Sequence, residues 1–415
     1  MSGLAAALTL SAPALAEPGD HIRAGEVEIA PDIDVGAEYR TNVFREEVDP
    51  IPAANMRFAP GVLVSAGGED HDFRASGEWV LRKYFFVGQN DTFIEESDQV
   101  GNLDRLDEFS IAAGADTFKR SVVGFRLADD MELRNFTADC EFCDTPYLSQ
   151  FRNSLGAGVR INPGAALQVV PGARWTFDSF RIPATDGSDR GFNNRNTYGP
   201  MVEAKWSFLP RTAVVANAEW MVNSWQFNVL EDAALPNSNQ IKGVVGIDGR
   251  FTEKVLAQVM LGYGVGTFNE DTVVGNTAAA VDATGLDGLI LRTQLRYLLT
   301  PSEENRAGSS VTAGYVRDFR PSFFTNYLQL NQVFADLHAR LGPVEPSLRY
   351  DLRFENYNGL VDRSDTVNKF TGDVRVPASD WASFTAGGWW QQRASTDFPV
   401  EYDDFNLHAL ATFVY

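Results

Sequence analysis

Cys140 and Cys143 form the C-x-x-C motif of this sequence, a spacing that can serve redox chemistry, metal binding or a disulfide. Their flanking residues read as a polar loop between strands, whereas a redox pair would start a thioredoxin-like helix. A zinc site would need two further ligands nearby, and the sequence offers none there. We therefore interpret the pair as a local disulfide that stiffens an external loop, with zinc binding and redox chemistry as the alternatives.

The histidines form no catalytic or metal-binding pattern with their neighbours. His21, His71, His338 and His408 are each isolated in the sequence. The acidic stretches also lack the ligand spacing of a calcium-binding loop. We expect no enzyme activity, no metal site and no cofactor.

In many segments, charged residues instead alternate with apolar residues, and this period of two indicates β-strands with one apolar and one polar face. One clear case is the alternation of Leu348, Tyr350, Leu352 and Phe354 with Arg349, Asp351, Arg353 and Glu355. Strands are predicted at 27–40, 55–66, 71–85, 106–118, 121–131, 151–161, 165–178, 196–208, 211–225, 240–251, 254–268, 286–299, 308–319, 326–341, 344–356, 366–376, 381–392 and 403–415. Many are longer than the roughly 5–6 residues typical of soluble strands, as tilted membrane strands of about 9–11 residues are.

The connections between these strands alternate between short turns and mostly long polar loops. Short turns are predicted at 67–70, 119–120, 162–164, 209–210, 252–253, 342–343 and 377–380, and long loops at 41–54, 86–105, 132–150, 179–195, 226–239, 269–285, 357–365 and 393–402. Two connections break the alternation: 320–325 is short on the long side, and 300–307 is longer on the short side. We predict an all-β fold, a transmembrane antiparallel up-and-down β-barrel of about 18 strands. The alternatives are sixteen strands, a soluble β-sandwich or a propeller.

The two ends of the sequence carry features of export and assembly. Residues 1–16 are a short apolar run ending in Ala-Leu-Ala, which predicts a signal peptide. A short periplasmic segment at 17–26 and the barrel at 27–415 would follow. After residue 16, no uncharged apolar stretch is long enough for a transmembrane helix. Phe413 and Tyr415 end the last strand and resemble the C-terminal aromatic signal that outer-membrane barrels present to the barrel-assembly machinery.

The formal net charge of −21 argues against a nucleic-acid partner. On the faces predicted to point inward, basic and acidic residues nearly balance, so the negative charge is assigned to loops, turns and the N-terminal segment. The inner wall is then either a lattice of cross-bracing arginine–carboxylate pairs or an arginine-lined path for an anionic solute. The residues predicted to line such a path are Arg292, Arg296, Arg349, Arg353, Arg74 and Arg82.

Residues 35–45 resemble the first-strand motif of a porin-like outer-membrane β-barrel family of Gram-negative bacteria. In that motif the strand ends in Tyr-x-x-Asn-aliphatic-aromatic-Arg, and the matching residues are Tyr39, Asn42, Val43, Phe44 and Arg45. Some members of the family accompany exopolysaccharide secretion genes. The resemblance therefore implies polysaccharide export as one function, and it supplies no catalytic residues.

Together these features predict a passive conduit in the bacterial outer membrane, for export of a hydrophilic, anionic polysaccharide or for passage of small solutes. The alternative is a barrel without transport function, an envelope anchor or surface-interaction module of a larger machine. A general-diffusion porin is a third reading. The expected partners are outer-membrane lipid and lipopolysaccharide, the barrel-assembly machinery and periplasmic partner proteins.

The disulfide interpretation predicts that the folded, exported protein has no free thiol. Labelling with a thiol-reactive dye should fail without reductant and succeed at two positions after reduction, because Cys140 and Cys143 are the only cysteines. Labelling of both cysteines in the untreated native protein would contradict it.

Overall fold

The computed structural model describes residues 21–45, 50–87, 108–136, 148–182, 190–225, 237–269, 285–300, 308–323, 325–359, 362–396 and 400–415. A short strand, β1 (Ile22–Ala24), precedes the strands that form the wall. These are β2 (Val27–Arg40), β3 (Ala53–Gly67), β4 (His71–Phe86), β5 (Glu108–Thr117), β6 (Val123–Phe136), β7 (Leu148–Gly164), β8 (Leu167–Ile182), β9 (Arg190–Leu209), β10 (Thr212–Trp225), β11 (Ser238–Arg250), β12 (Val255–Phe268), β13 (Leu286–Leu298), β14 (Ser310–Pro321), β15 (Tyr327–His338), β16 (Glu345–Asn358), β17 (Arg363–Pro377), β18 (Ala382–Ser395) and β19 (Tyr402–Val414). None of the described segments is a helix with the length and hydropathy needed to cross a membrane.

The wall is a closed antiparallel barrel of 18 strands, β2–β19. Each strand pairs with the next one in the chain, and β19 pairs with β2 from Arg40↔Asn406 to Asp32↔Val414. The prediction of an eighteen-stranded up-and-down barrel is confirmed, and the sandwich, the propeller and the count of sixteen are wrong. Closure leaves no unpaired edge strand in the ring.

The period of two in the sequence separates an apolar outer face from a charged inner face. On β16, Leu348 and Phe354 point outward and are exposed, while Arg349 and Arg353 point into the barrel. Outward aromatic side chains are found near both ends of the wall. They include Trp175, Tyr198, Trp220 and Tyr263 at one end and Trp206, Phe208, Phe251, Trp381 and Phe413 at the other. The exposed outer surface is therefore an apolar band with aromatic borders.

The two ends of the barrel differ in their connections. We call the end with the tight connections, such as 68–70, 210–211 and 378–381, the turn end, and the opposite end the loop end. At the loop end several strands extend further than predicted: β6 reaches Phe136 and β9 begins at Arg190. The added residues are mostly polar, so the apolar alternation stops while the strand pairing continues. The barrel wall therefore rises above its apolar band at this end.

The segment predicted as a periplasmic N-terminal stretch contains a strand. β1 forms a hairpin with the start of β2, with Ile22 paired to Ile29 and Ala24 to Val27. It occupies the edge of β2 at the turn end, where β19 has already ended at Val414. Residues 1–16, predicted as the signal peptide, lie outside the described residues.

The closing seam between β2 and β19 is held by buried charges at the loop end. Asp404 is fully buried and accepts hydrogen bonds from Arg40 Nε at 3.2 Å and from the backbone N–H of Asn42 at 3.2 Å. Arg45 Nε lies 3.7 Å from the same carboxylate, and Arg45 Nη1 donates to the Tyr402 hydroxyl at 3.1 Å. Asn42 and Arg45 belong to the first-strand motif described above. In this structure, residues of the motif therefore attach the loop after β2 to β19, the last strand.

We expect Asp404→Asn to weaken the closed barrel markedly. Removing one member of a buried ion pair leaves the other uncompensated, at a cost of roughly 3–5 kcal/mol, and here two buried guanidinium groups, of Arg40 and Arg45, lose their carboxylate. The variant should unfold at a lower temperature, measured as the loss of the compact, SDS-resistant band on electrophoresis.

The matched control is Asp403→Asn, one residue away on the exposed outer face, where the carboxylate accepts a hydrogen bond from Trp390 Nε1 at 2.6 Å. If both variants unfold at the same temperature, Asp404 does not hold the seam.

Candidate functional site: the barrel lumen

The inner wall of the barrel faces water over much of its height. Arg152 on β7 and Arg292 on β13 point inward, yet their side chains remain 48% and 44% exposed. Arg126 and Arg349 are inward and exposed to a similar degree. The lumen therefore holds solvent at these positions, and solvated inward charges are the groups that a passing solute would meet.

The structure separates the predicted cluster of four arginines into two rows. Arg292 and Arg353 lie in one row, joined through Val316 and Gln332 on the two strands between them. At strand spacings of about 4.8 Å, the two arginines stand roughly 14 Å apart along the wall.

The second row lies closer to the turn end. Thr312 and Asp336 separate Arg296 from Arg349 on the two intervening strands. The four side chains therefore line one sector of the wall, β13–β16, without forming a single contact cluster.

Four of the six arginines predicted for a solute path lie within ion-pair distance of a carboxylate. Arg292 Nη2 lies 2.5 Å from Asp318, Arg349 Nε 2.7 Å from Asp351 and Arg353 Nε 3.6 Å from Glu355; Arg82 pairs with Glu108. Arg292 and Arg82 pair with carboxylates on neighbouring strands, which is the arrangement of a cross-bracing lattice. Arg349 and Arg353 pair with carboxylates two residues away on their own strand, β16.

The other two predicted arginines, Arg74 and Arg296, form no ion pair within the described part of the chain. Arg74 is exposed to the lumen, whereas the Nε of Arg296 is buried without a hydrogen-bond acceptor. Arg74 is therefore the predicted residue that is both exposed and without an ion pair, which fits the second interpretation, a path for anions.

Asp318 and Asp178, which lie near the loop end, each bind two cationic side chains, one of which is solvated. Asp318 lies 2.9 Å from Lys242 and 2.5 Å from Arg292. Asp178 lies 3.0 Å from Arg195 and 3.9 Å from Arg152. Each group of three side chains carries one net positive charge, and we call them the Asp318 triad (Lys242, Arg292, Asp318) and the Asp178 triad (Arg152, Arg195, Asp178).

Sequence reasoning found these triads only in part. The alternation pattern places Arg152, Lys242 and Asp178 on inward faces, but it does not give the strand register that joins them. Arg195 was assigned to the predicted loop 179–195, although it lies in β9 opposite Asp178.

The described residues of the connection between β14 and β15 (322–323 and 325–326), which we call the inner turn, bend into the lumen. The ladder between β13 and β14 ends at Leu291↔Arg317, although β13 continues to Leu286 and β14 to Pro321. Beyond this point β14 leaves the wall, and the ring of Phe319 lies over Gly264 of β12, where a Cβ atom would fall 2.6 Å from the ring. The short connection that breaks the pattern of long loops therefore folds inward.

Phe323 of the inner turn docks against the far part of the wall. Its ring packs edge-on against Phe180 of β8, with 4.6 Å between ring centroids, and 6.4 Å from the ring of Trp225 on β10. The guanidinium carbon of Arg195 on β9 lies 4.2 Å from the centroid of the Phe323 ring. Arg195 Nη1 also donates to the carbonyl oxygen of Pro321 at 3.4 Å. The hairpin therefore bridges the lumen from β14 to β8–β10 and covers the upper part of β11–β13.

A second segment narrows the lumen from the side of the seam. Val43 and Phe44, in the loop after β2, are buried and pack with Ile51 against the inward rings of Tyr84 and Phe86 on β4. The inner turn and this cluster both lie at the loop end. Both segments therefore occupy space inside the barrel at the loop end.

The wall at β4–β8 presents small side chains between two unpaired arginines. Arg74, Gly114, Ala128, Gly156 and Arg174 form one row of paired inward positions. Both arginines are exposed, and neither forms an ion pair with a described residue. A solute on this side can approach the backbone closely and meets a guanidinium group at each end of the row.

The histidines take part in local polar contacts. His408 Nε2 lies 2.9 Å from Asp373, and His338 Nδ1 lies 3.3 Å from the carbonyl oxygen of Gly308. His21 pairs with Glu28. Across the described ranges, no three or more His, Cys, Asp or Glu side chains are grouped so that they could hold a metal ion.

The remaining predicted site residues lie at the chain end and in a loop. Phe413 points outward and stacks on Trp381, with ring centroids 6.1 Å apart, and the backbone N–H of Tyr415 donates to Pro31 at 2.9 Å. Their role in assembly stays a prediction. Cys140 and Cys143 lie outside the described residues.

Several solved structures are similar to this chain in overall architecture. OccAB3 of Acinetobacter baumannii is 10% identical with a TM-score of 0.46, over 94% of this chain and 100% of that one. OpdL of Pseudomonas aeruginosa is 12% identical with a TM-score of 0.45, over 94% and 99%. A third structure, named as the copper transporter OprC, is 10% identical with a TM-score of 0.49, over 91% of this chain and 63% of that one. At such identities and TM-scores, no conclusion about cargo follows.

No protein-family model matches the sequence, and no curated protein is significantly similar to it. The first-strand motif therefore remains a resemblance.

Proposed function

We propose that this chain is an outer-membrane barrel through which small hydrophilic solutes pass passively, with a preference for anions. The outer surface supports the proposed location in a membrane. It is a closed apolar band with aromatic borders, which suits a lipid bilayer about 25 Å thick in its apolar part. Side chains such as Met56, Ile241 and Leu295 are more than half exposed there. In water such a surface would drive aggregation.

Two solvated positive charges carry the proposed preference for anions. Arg152 and Arg292 belong to triads in which the shared carboxylate is already bound by a second cation, Arg195 or Lys242. Each therefore leaves about one positive charge uncompensated, and each is nearly half exposed to the lumen. Planar guanidinium groups in this state attract carboxylates and phosphates and can form paired hydrogen bonds with them.

The inward segments at the loop end favour small solutes over a polysaccharide. The inner turn bridges the wall there, and the cluster of Val43 and Phe44 fills space beside the seam. Both segments reduce the space that is open to a bulky polysaccharide chain at this end. Polysaccharide export, implied by the family resemblance, is therefore the less favoured cargo, and periplasmic proteins and lipopolysaccharide remain proposed partners.

The proposed location predicts that the protein cannot be kept monodisperse without detergent. After expression with its N-terminal segment in a Gram-negative host, it should float with outer-membrane vesicles in a density gradient, because the apolar band has to be covered by lipid. A protein that stays monodisperse in buffer alone and never floats with membranes would contradict the barrel's placement in a bilayer.

The proposed selectivity is tested with the double variant Arg152→Gln/Arg292→Gln. A unit charge about 8 Å from a passing ion contributes on the order of 0.5 kcal/mol in water. Removing both charges should lower the anion-to-cation permeability ratio by roughly fivefold or more, measured from reversal potentials in planar bilayers. Asp178 and Asp318 each keep one cation in this variant, so the wall remains braced.

A matched control is Arg120→Gln, an exposed arginine at the turn end that pairs with Glu69. It should leave selectivity unchanged. An unaltered ratio in the double variant would contradict the anion preference. Absence of any conductance in the wild-type protein would contradict the conduit and favour the envelope anchor.

A further inference from the structure

We propose that the outer face of the barrel binds one anionic glycerophospholipid at the turn end, in a depression that we call the turn-end groove. The apolar walls of the groove hold part of an acyl chain, and Arg211 at its rim binds the phosphate. This inference rests on the proposed location in a membrane. It is independent of conduction through the lumen, because the groove lies on the opposite face of the wall.

The turn-end groove lies between the tight connection from β9 to β10 and the end of β11. Its apolar lining is formed by Phe208, Leu209, Ile247 and Phe251. These four side chains are between 41% and 53% exposed. Two of them, Phe208 and Phe251, belong to the aromatic border of the apolar band at this end. The groove therefore lies at the level where the acyl chains of a bilayer meet the headgroups.

A glycine explains why this part of the wall is concave. Gly249 occupies the outward position on β11 between Ile247 and Phe251, and it pairs with Thr212 at the start of β10. A Cβ atom at Gly249 would fall 2.7 Å from the carbonyl oxygen of Arg211 and 2.7 Å from Thr212 Oγ1. Because this position carries no side chain, β10 and β11 approach each other closely, and a depression remains between the two exposed apolar residues.

The rim of the groove carries an excess of positive charge. Arg211 and Arg250 are lining residues, and Lys254 follows in the next turn. Arg250 is held in place, because its Nε donates to the carbonyl oxygens of Thr252 at 3.3 Å and Glu253 at 3.1 Å. Three cations thus lie near one carboxylate, that of Glu253.

Arg211 is the cation available to a ligand. It is exposed, and within the described ranges it forms no ion pair. The chain as a whole has a formal net charge of −21, so a local excess of cations favours an anionic ligand at this edge. A guanidinium group can form two parallel hydrogen bonds with a phosphate.

The combination of an apolar groove and a cationic rim favours a phospholipid over other occupants. A free phosphate ion would use the cations and leave the apolar walls uncovered. A second copy of the chain, related by a two-fold axis through the groove, would bring its own Arg211 to the same place, and like charges would repel each other. A lipid with a phosphate and an acyl chain matches both parts of the groove.

The site is tested by native mass spectrometry of the full-length protein in a mild detergent, titrated with phosphatidylglycerol. We expect one lipid molecule to bind the wild type first, and Arg211→Gln to weaken this binding by about tenfold, as the loss of one hydrogen bond between charged groups implies. Inorganic phosphate should not displace the lipid, because it cannot occupy the apolar walls.

The matched control is Arg120→Gln, an exposed arginine in a different tight connection of the turn end, where it pairs with Glu69. It should bind phosphatidylglycerol as the wild type does. Phe251→Ala tests the apolar part: it should weaken binding of phosphatidylglycerol and of phosphatidylcholine with the same acyl chains by a similar factor. Each altered residue is exposed, and folding of the variants is checked by SDS-resistant mobility.

The outcomes separate the lipid site from the conduit. Equal binding by Arg211→Gln and Arg120→Gln would overturn the site. Displacement of the lipid by inorganic phosphate, or occupation of the groove by a second copy or a periplasmic protein, would overturn it as well. A protein that binds the lipid through Arg211 and does not conduct would contradict the conduit and leave the site standing. A protein that never associates with membranes would contradict both the location and the site.

Discussion

Hydrogen-bond satisfaction of the backbone is the constraint on which this structure depends. In a bilayer each unpaired N–H or C=O group costs several kcal/mol, so a sheet that spans the bilayer must close on itself. Closure here falls between the first and last strands of the ring, and Asp404 with Arg40 secures that joint at the loop end. The side-chain pattern then follows, since a closed wall has one face toward lipid and one toward the interior.

The sequence was informative wherever that constraint acts through the period of two. The prediction of β2 at 27–40 coincides with the observed strand, because Ile33, Val35 and Tyr39 have to face outward. Beyond the apolar band, the period of two no longer appears in the sequence. Arg195 lies in a polar stretch whose sequence does not distinguish a strand from a loop. In the structure it continues the ladder between β8 and β9, opposite Asp178. The register between two strands decides which charged side chains lie opposite each other. The alternation within a single strand does not determine that register.

The inner turn shows a second limit on what can be predicted from the sequence. Its short connection was visible in the sequence as a break in the pattern of long loops, but its direction depends on contacts with strands far away in the chain. Phe323 meets Phe180 across more than a hundred intervening residues. No local propensity encodes such a contact. By contrast, the arginines of the lumen were placed on the correct face, and what the structure adds is their carboxylate partners.

Gly264 is an inward residue of β12 that is buried beneath the ring of Phe319. A methyl group there would collide with the ring of Phe319, which is itself buried and cannot easily step aside. The change Gly264→Ala would therefore force the ring of Phe319 to shift, so one added carbon on β12 would alter how the end of β14 packs inside the barrel. An inward glycine can in this way determine the position of a segment from a different strand.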